Sequence, residues 1–224
     1  MNKNNQKLAW YKQMATVIPK HIPLKAFGMM FFIGVFFGIY FYLLKHPAYS
    51  VTVMQVTQLD KLISFQPLAL PVYLSLWGYL ALPLMFLSTR KALFEYGLAM
   101  VLMCITGLII FYFWPTAAPI ATIDWTQYPS VHFLKNLDAS GNACPSLHVS
   151  TALFSGIWLN YLLRRFNAPA WVRIINWIWC IGILYSTIAT RQHVVVDVVG
   201  GIVLGGLAAM IASLFILKDT ENGH

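Results

Sequence analysis

Four ionisable side chains stand where an apolar chain has least use for them: His148, Arg191, His193 and Asp197. Charged and titratable groups at membrane depth are costly and mark functional sites by default. His193 and Asp197 are four residues apart at the start of an apolar run, which puts both on one helical face within reach. A carboxylate beside an imidazole fixes its tautomer, orients the ring and stabilises positive charge that builds up on it. The same spacing also fits a helix-end His and Asp that satisfy each other. Upstream runs Asn142-Ala143-Cys144-Pro145-Ser146-Leu147-His148. Pro145 suits a first helical turn and Asn142 can cap it. Free N–H groups at such a helix start, with the Ser146 hydroxyl beside them, form a site for an anion. His148 projects from that turn, where it can give a proton to a departing oxygen. Two imidazoles, a carboxylate, an arginine and a helix N-terminus make up a phosphoryl-transfer set that asks for no metal and no cofactor. Zinc bound by Cys144 and the two histidines is the competing chemistry. An Asp four residues after His193 fits an orienting partner at least as well as a ligand.

These residues must be positioned by membrane helices. Of the 224 residues 59% are hydrophobic and only 10% charged, with mean hydropathy +0.67. Soluble domains carry roughly 25% charged residues, so too few exist here to clothe a water-facing surface. Disordered, collagen-like and disulfide-rich scaffolds are excluded as well. Six apolar runs follow a basic N-terminal stretch: about 26–44, 68–87, 93–113, 147–163, 171–189 and 194–217. The reading is an all-α integral membrane protein with six transmembrane helices. The first run is too long for the core of a cleavable signal, and Lys45-His46-Pro47 follows it. Eleven Lys and Arg fall on one side of the alternating connections and four on the other. That bias expects both termini in the cytoplasm and the His and Asp groups at the extracytoplasmic ends of helices 4–6. The net charge of +8 therefore sets orientation; no basic stripe with interleaved aromatics points to nucleic acid.

The organisation expected is a cytoplasmic basic segment over 1–25, one membrane domain over 26–217 and a polar cytoplasmic tail over 218–224. Within residues 51–66, Val56, Leu59 and Ile63 share a helical face with Asp60 elsewhere, which fits an interfacial helix or a loop. The connection 114–146 is the longest, and such loops are usually functional. Gly200, Gly201, Gly205 and Gly206 place small residues at close-packing spacing behind the site. Cys104 and Cys180 fall inside apolar runs, as free thiols acting as small hydrophobes. Oligomeric state is not legible.

At these residues the sequence resembles the type 2 phosphatidic acid phosphatase (PAP2) superfamily, membrane lipid phosphatases with a six-helix core. The family signature P-S-G-H is matched by Pro145, Ser146 and His148, with Leu147 in place of Gly. The signature S-R-x5-H-x3-D is matched by Ser186, His193 and Asp197, with Thr187 in place of Arg. The signature K-x6-R-P does not occur; the loop reads Phe113-Trp114-Pro115-Thr116-Ala117-Ala118-Pro119. These departures resemble the branch that includes inositol-phosphorylceramide synthases. The resemblance implies that His193 is the nucleophile and forms a phosphohistidine, that Asp197 orients it and that His148 protonates the leaving group. Ser146 and Ser186 would contact substrate. Arg191 is the candidate for the missing motif cations, with Lys135 behind it; an interfacial anchor is the other reading of Arg191. The expected function is a metal-independent lipid phosphatase or phosphotransferase, multi-pass in the plasma membrane of a bacterium, acting on a lipid phosphate or polyprenyl diphosphate. A headgroup phosphotransferase needing a specific acceptor is the alternative within the family. A proton-coupled transporter is the alternative outside it.

Overall fold

The computed structural model describes residues 9–121, 123–132 and 141–221, with side chains as far as 214. Its helices are α1 (Trp10–Val17), α2 (Ile22–Lys45), α3 (Gln58–Leu62), α4 (Leu70–Leu74), α5 (Leu76–Phe86), α6 (Arg90–Phe113), α7 (Leu147–Arg165), α8 (Ala170–Ala189) and α9 (Val195–Glu221). Two short strands, β1 (Thr52–Val53) and β2 (Thr116–Ala117), pair in parallel. Among the described residues, five stretches are long and apolar enough to cross a membrane: α2, the segment 67–86, α6, α8 and α9 as far as Leu214. This is the composition of a multi-pass membrane protein.

The helix boundaries follow local chemistry. Thr89 caps α6 by accepting from Ala92 N at 3.2 Å, and Pro115 stands just beyond its end. Pro169 precedes α8 as its N-cap. The run at 68–87, expected as one helix, is a 3-10 turn over Pro67–Ala69 followed by α4 and α5, which meet at Ser75. Pro71 and Pro83 lie in this stretch, and proline removes a backbone donor and crowds the preceding turn. The basic N-terminal segment carries a short helix of its own. Trp10, Met14 and Val17 recur at helical spacing, α1 buries Met14 and Val17, and Trp10 meets Trp171 edge to face at 6.5 Å. Lys25 is drawn into the same corner, its Nζ donating to the carbonyl of Met85 at 2.8 Å.

The axis of the bundle is α7. It is the least apolar of the long helices, carrying His148, Ser150, Thr151 and Ser155, and it packs against α9, α8, α5 and α6. Its hydroxyls find partners within the protein: Ser150 Oγ donates to Ser146 O at 2.9 Å and Thr151 Oγ1 to Leu147 O at 2.8 Å. Where no water is present, such internal partners are required. By contrast α2 packs mainly on α6, and Phe27, Met30 and Phe31 are exposed on it. A surface of that kind suits lipid and not water.

The glycines of α9 face α7 as expected. A Cβ at Gly201 would lie 2.5 Å from Ser146 O, and one at Gly205 2.5 Å from Ser150 O. Only a missing side chain allows the two backbones this approach. Gly200 is packed less tightly, a Cβ there lying 3.2 Å from Cys144 Sγ and 3.3 Å from Pro145 Cβ, and Gly206 has only Leu153 nearby.

Candidate active site

The start of α7 is built differently from the expectation in one respect. Ser146, not Asn142, is the N-cap: its Oγ accepts from Val149 N at 3.3 Å. Pro145 therefore precedes the cap. Asn142 sits at positive φ and donates from Nδ2 to Tyr40 O at 3.2 Å, tying the motif to α2. Thr116 braces the motif from β2. Its Oγ1 accepts from Cys144 N at 2.8 Å, and its carbonyl accepts from Ala143 N. Thr116 is buried, and its place in the loop 113–119 could not be ranked from sequence.

The end of α8 carries the second motif. Gln192 N donates to Thr187 O and Arg191 N to Ile188 O, the paired bonds of a Schellman turn. That turn needs a left-handed residue after the cap, and Arg191 takes it with φ 58°. Glycine is the usual occupant because L side chains are crowded there. The Arg191 guanidinium is held in turn, donating to Asp60 O at 3.2 Å and Ile63 O at 2.8 Å. His193 N donates to Thr187 O at 3.1 Å, so the residue enters α9 on a backbone fixed from both sides.

His193 Nδ1 lies 3.5 Å from Asp197 Oδ2, with His193 8% and Asp197 0% exposed. Asp197 Oδ2 also accepts from Val194 N at 3.0 Å, and the Asp197 carbonyl accepts from Ser146 N at 3.0 Å. One residue thus faces the imidazole and joins the two motifs. His148 stacks on Tyr73 of α4, with ring centroids 4.0 Å apart and planes 16° from parallel. Its Nε2 is buried without a hydrogen-bond partner.

His148 and His193 line the same cavity of about 1420 Å³. Its walls are otherwise largely apolar, drawn from α2, α4, α5, α6 and the start of α7, with Thr151 and Asn142 also in the lining. His193 also lines a second cavity of about 290 Å³, together with Arg191, Asp60 and Pro119. Of the expected site residues, His148, His193, Asp197 and Ser146 are therefore gathered at one place. Arg191 stands on the side of the smaller cavity. Ser186 is fully buried, with its hydroxyl donating to Ile183 O at 2.6 Å. Lys135 lies outside the described residues.

Cys144 packs with Met54, Ala118, Ala143 and Val194. Burial pushes its thiol up to about 11, and the Asp197 charge adds to this. Asp60, Tyr73 and Thr116 are the positioning groups that sequence reasoning passed over. Asp60 had a usable signal: Thr57-Gln58-Leu59-Asp60 has the spacing of a capping box, and both of its bonds form.

A helical bundle with apolar spans thus carries a buried His-Asp pair whose imidazole lines one cavity together with a second His. Consistent with that, the PAP2 superfamily profile matches residues 72–211. The chain belongs to the PAP2 superfamily, and this membership supports a phosphatase-type enzyme. Neither a curated protein nor a solved structure gives a match.

Proposed function

We propose that this protein is a lipid phosphatase or phosphotransferase that works through a phosphohistidine on His193. The observation that carries this reading is that His148 of α7 and His193, in the turn before α9, line one largely apolar cavity. The ring nitrogen of His193 that faces away from Asp197 attacks phosphorus. The phosphorus–oxygen bond to the lipid breaks, and His148 gives its proton to the leaving oxygen. In the second step, water or an alcohol attacks phosphorus, returns a proton to His148 and breaks the nitrogen–phosphorus bond. Asp197 holds the ring and offsets its positive charge. Ser146 and the N–H groups opening α7 take up charge on the phosphate oxygens. Arg191 completes the proposed substrate contacts from the smaller cavity, whereas Ser186, fully buried and bonded to Ile183 O, takes no part.

The lipid tail occupies the large cavity, entering sideways between helices, and its phosphate meets the histidines at one end of the bundle. The excess of Lys and Arg at the other end assigns that end, with both termini, to the cytoplasm. The five long helices and the broken segment 67–86 then all span, with α7 at the centre. Leu147 and Thr187, where the family has Gly and Arg, favour the inositol-phosphorylceramide synthase-like branch, which transfers to an acceptor.

Phosphate release is measured across phosphatidate, undecaprenyl diphosphate and lipid A, with chelator present. Release from at least one of them, abolished in His193→Ala, supports the reading. Full activity in His193→Ala overturns it. Turnover that appears only when an alcohol acceptor is added identifies transfer instead of hydrolysis. Proton flux in liposomes without phosphate release would instead favour the transporter.

A further inference from the structure

We infer that Asp60, 133 residues upstream of His193 and outside both matched motifs, is a positioning residue for the nucleophile. The inference rests on the proposed role of His193. Asp60 is fully buried. Its Oδ1 accepts from Val195 N at 2.8 Å, the first residue of α9. Its Oδ2 accepts from Thr57 N and Thr57 Oγ1, both at 2.7 Å. Its carbonyl receives the Arg191 guanidinium at 3.2 Å. Asp60 thus grips the hairpin from both sides of His193: through Arg191, two residues before it, and through Val195, two residues after.

The chemistry of the grip suits that place. The first N–H groups of a helix have no partner within it, and the helix start carries partial positive charge. A carboxylate delivered from a distant segment satisfies one such donor and complements the dipole. Asp197 does the same for Val194 N. The two carboxylates hold consecutive N–H groups, and the imidazole between Arg191 and Val195 has little freedom left. Arg191 adds a reason for the clamp. It occupies a left-handed position that favours glycine, and its side chain bonds hold the segment 60–63 against the turn. Nucleophile geometry is sensitive to such support, since a displacement of about 1 Å costs on the order of 10²-fold in rate.

The test uses the full chain in detergent micelles, with Asp60→Asn as the deciding variant because it keeps the volume and one acceptor oxygen. Hydrogen–deuterium exchange is compared between wild type and variant. Peptides covering 191–195 are expected to exchange at least about tenfold faster in the variant, as loss of a charge-assisted bond implies, with the middle of α7 unchanged. Turnover of the lipid phosphate found most active in the screen above is measured alongside. Its kcat is expected to fall about 10–100-fold with KM within about twofold, because the tail and phosphate contacts remain. Asp60→Glu, which restores the charge, is expected to recover part of kcat. Unchanged exchange over 191–195, or a kcat within twofold of wild type, overturns the inference. Full activity in His193→Ala overturns the functional reading instead, and accelerated exchange then marks only a contact of the fold.

Discussion

Asp197 serves two backbones and one ring. Its carboxylate accepts from Val194 N and faces His193 Nδ1, while its carbonyl accepts from Ser146 N. A substitution there removes the carboxylate beside His193 and the partner of Val194 N, while the main-chain carbonyl still joins the start of α7 to the start of α9. His148 is held differently, by the face of Tyr73. Removing its imidazole leaves the nucleophile in place and deletes only the proton donor. His148→Ala is therefore expected to lower phosphate release by about 10²–10⁴-fold, the usual contribution of a general acid; the fall is read with lipid substrate against an unchanged melting temperature. Cys144 offers a check that needs no substrate. Its thiol, pushed up to about 11 by burial and by Asp197, stays protonated at neutral pH, and the thiolate is the reactive form. A variant retaining Cys144 alone is expected to resist maleimide at pH 7 when folded and to label fully once denatured.

Among the elements, α7 and α9 decide whether a site exists. The Ser146 cap and Asp197 meet only because Gly201 and Gly205 let the two backbones touch. Gly205→Val forces its branches against the backbone of Ser150, where a Cβ alone would already lie 2.5 Å from the carbonyl oxygen. Overpacking typically costs about 1–3 kcal/mol, and here the obstacle is backbone, which cannot swing aside. The variant is expected to melt at lower temperature in detergent and to lose activity, whereas Gly206→Ala, with only Leu153 at 4.0 Å, is expected to change neither. The helix-turn chemistry around the site was partly legible. Small-residue spacing in α9 and the His193–Asp197 pair follow from periodicity. The Ser146 cap did not, because Asn142 and Ser146 are both good caps, and the choice depends on bonds to α2 and β2 that lie far off in sequence.

Across the molecule, the site lies where a large apolar cavity and a smaller, more polar one meet at His193. A tail held in the large cavity makes substrate affinity depend on chain length. Gly97 lines that cavity and has open space around it, so Gly97→Phe fills the cavity without disturbing its own helix. Each buried methylene contributes about 0.8 kcal/mol, and about 1.4 kcal/mol is a factor of ten. Displacing two or more methylenes is expected to raise KM for a long-chain lipid phosphate by about tenfold or more, and to leave an eight-carbon analogue unchanged. Equal effects on both would place the tail elsewhere.

The order of the apolar runs and the spacing of His193 and Asp197 were set by local rules that a sequence carries openly. Apolar runs of spanning length need no partner to be recognised, and His193–Asp197 is a neighbour relation within one turn. The tertiary structure decided what depends on remote segments. Asp60 sits in a connection whose apolar residues pointed to an interfacial surface, yet its carboxylate ends on Val195 N and its carbonyl on Arg191. Arg191 has a place against the segment 60–63 that no spacing encodes. The reason is physical: buried donors and acceptors must be satisfied wherever a partner can be found. In a membrane bundle that partner is chosen by packing, so its distance along the chain carries no information about it.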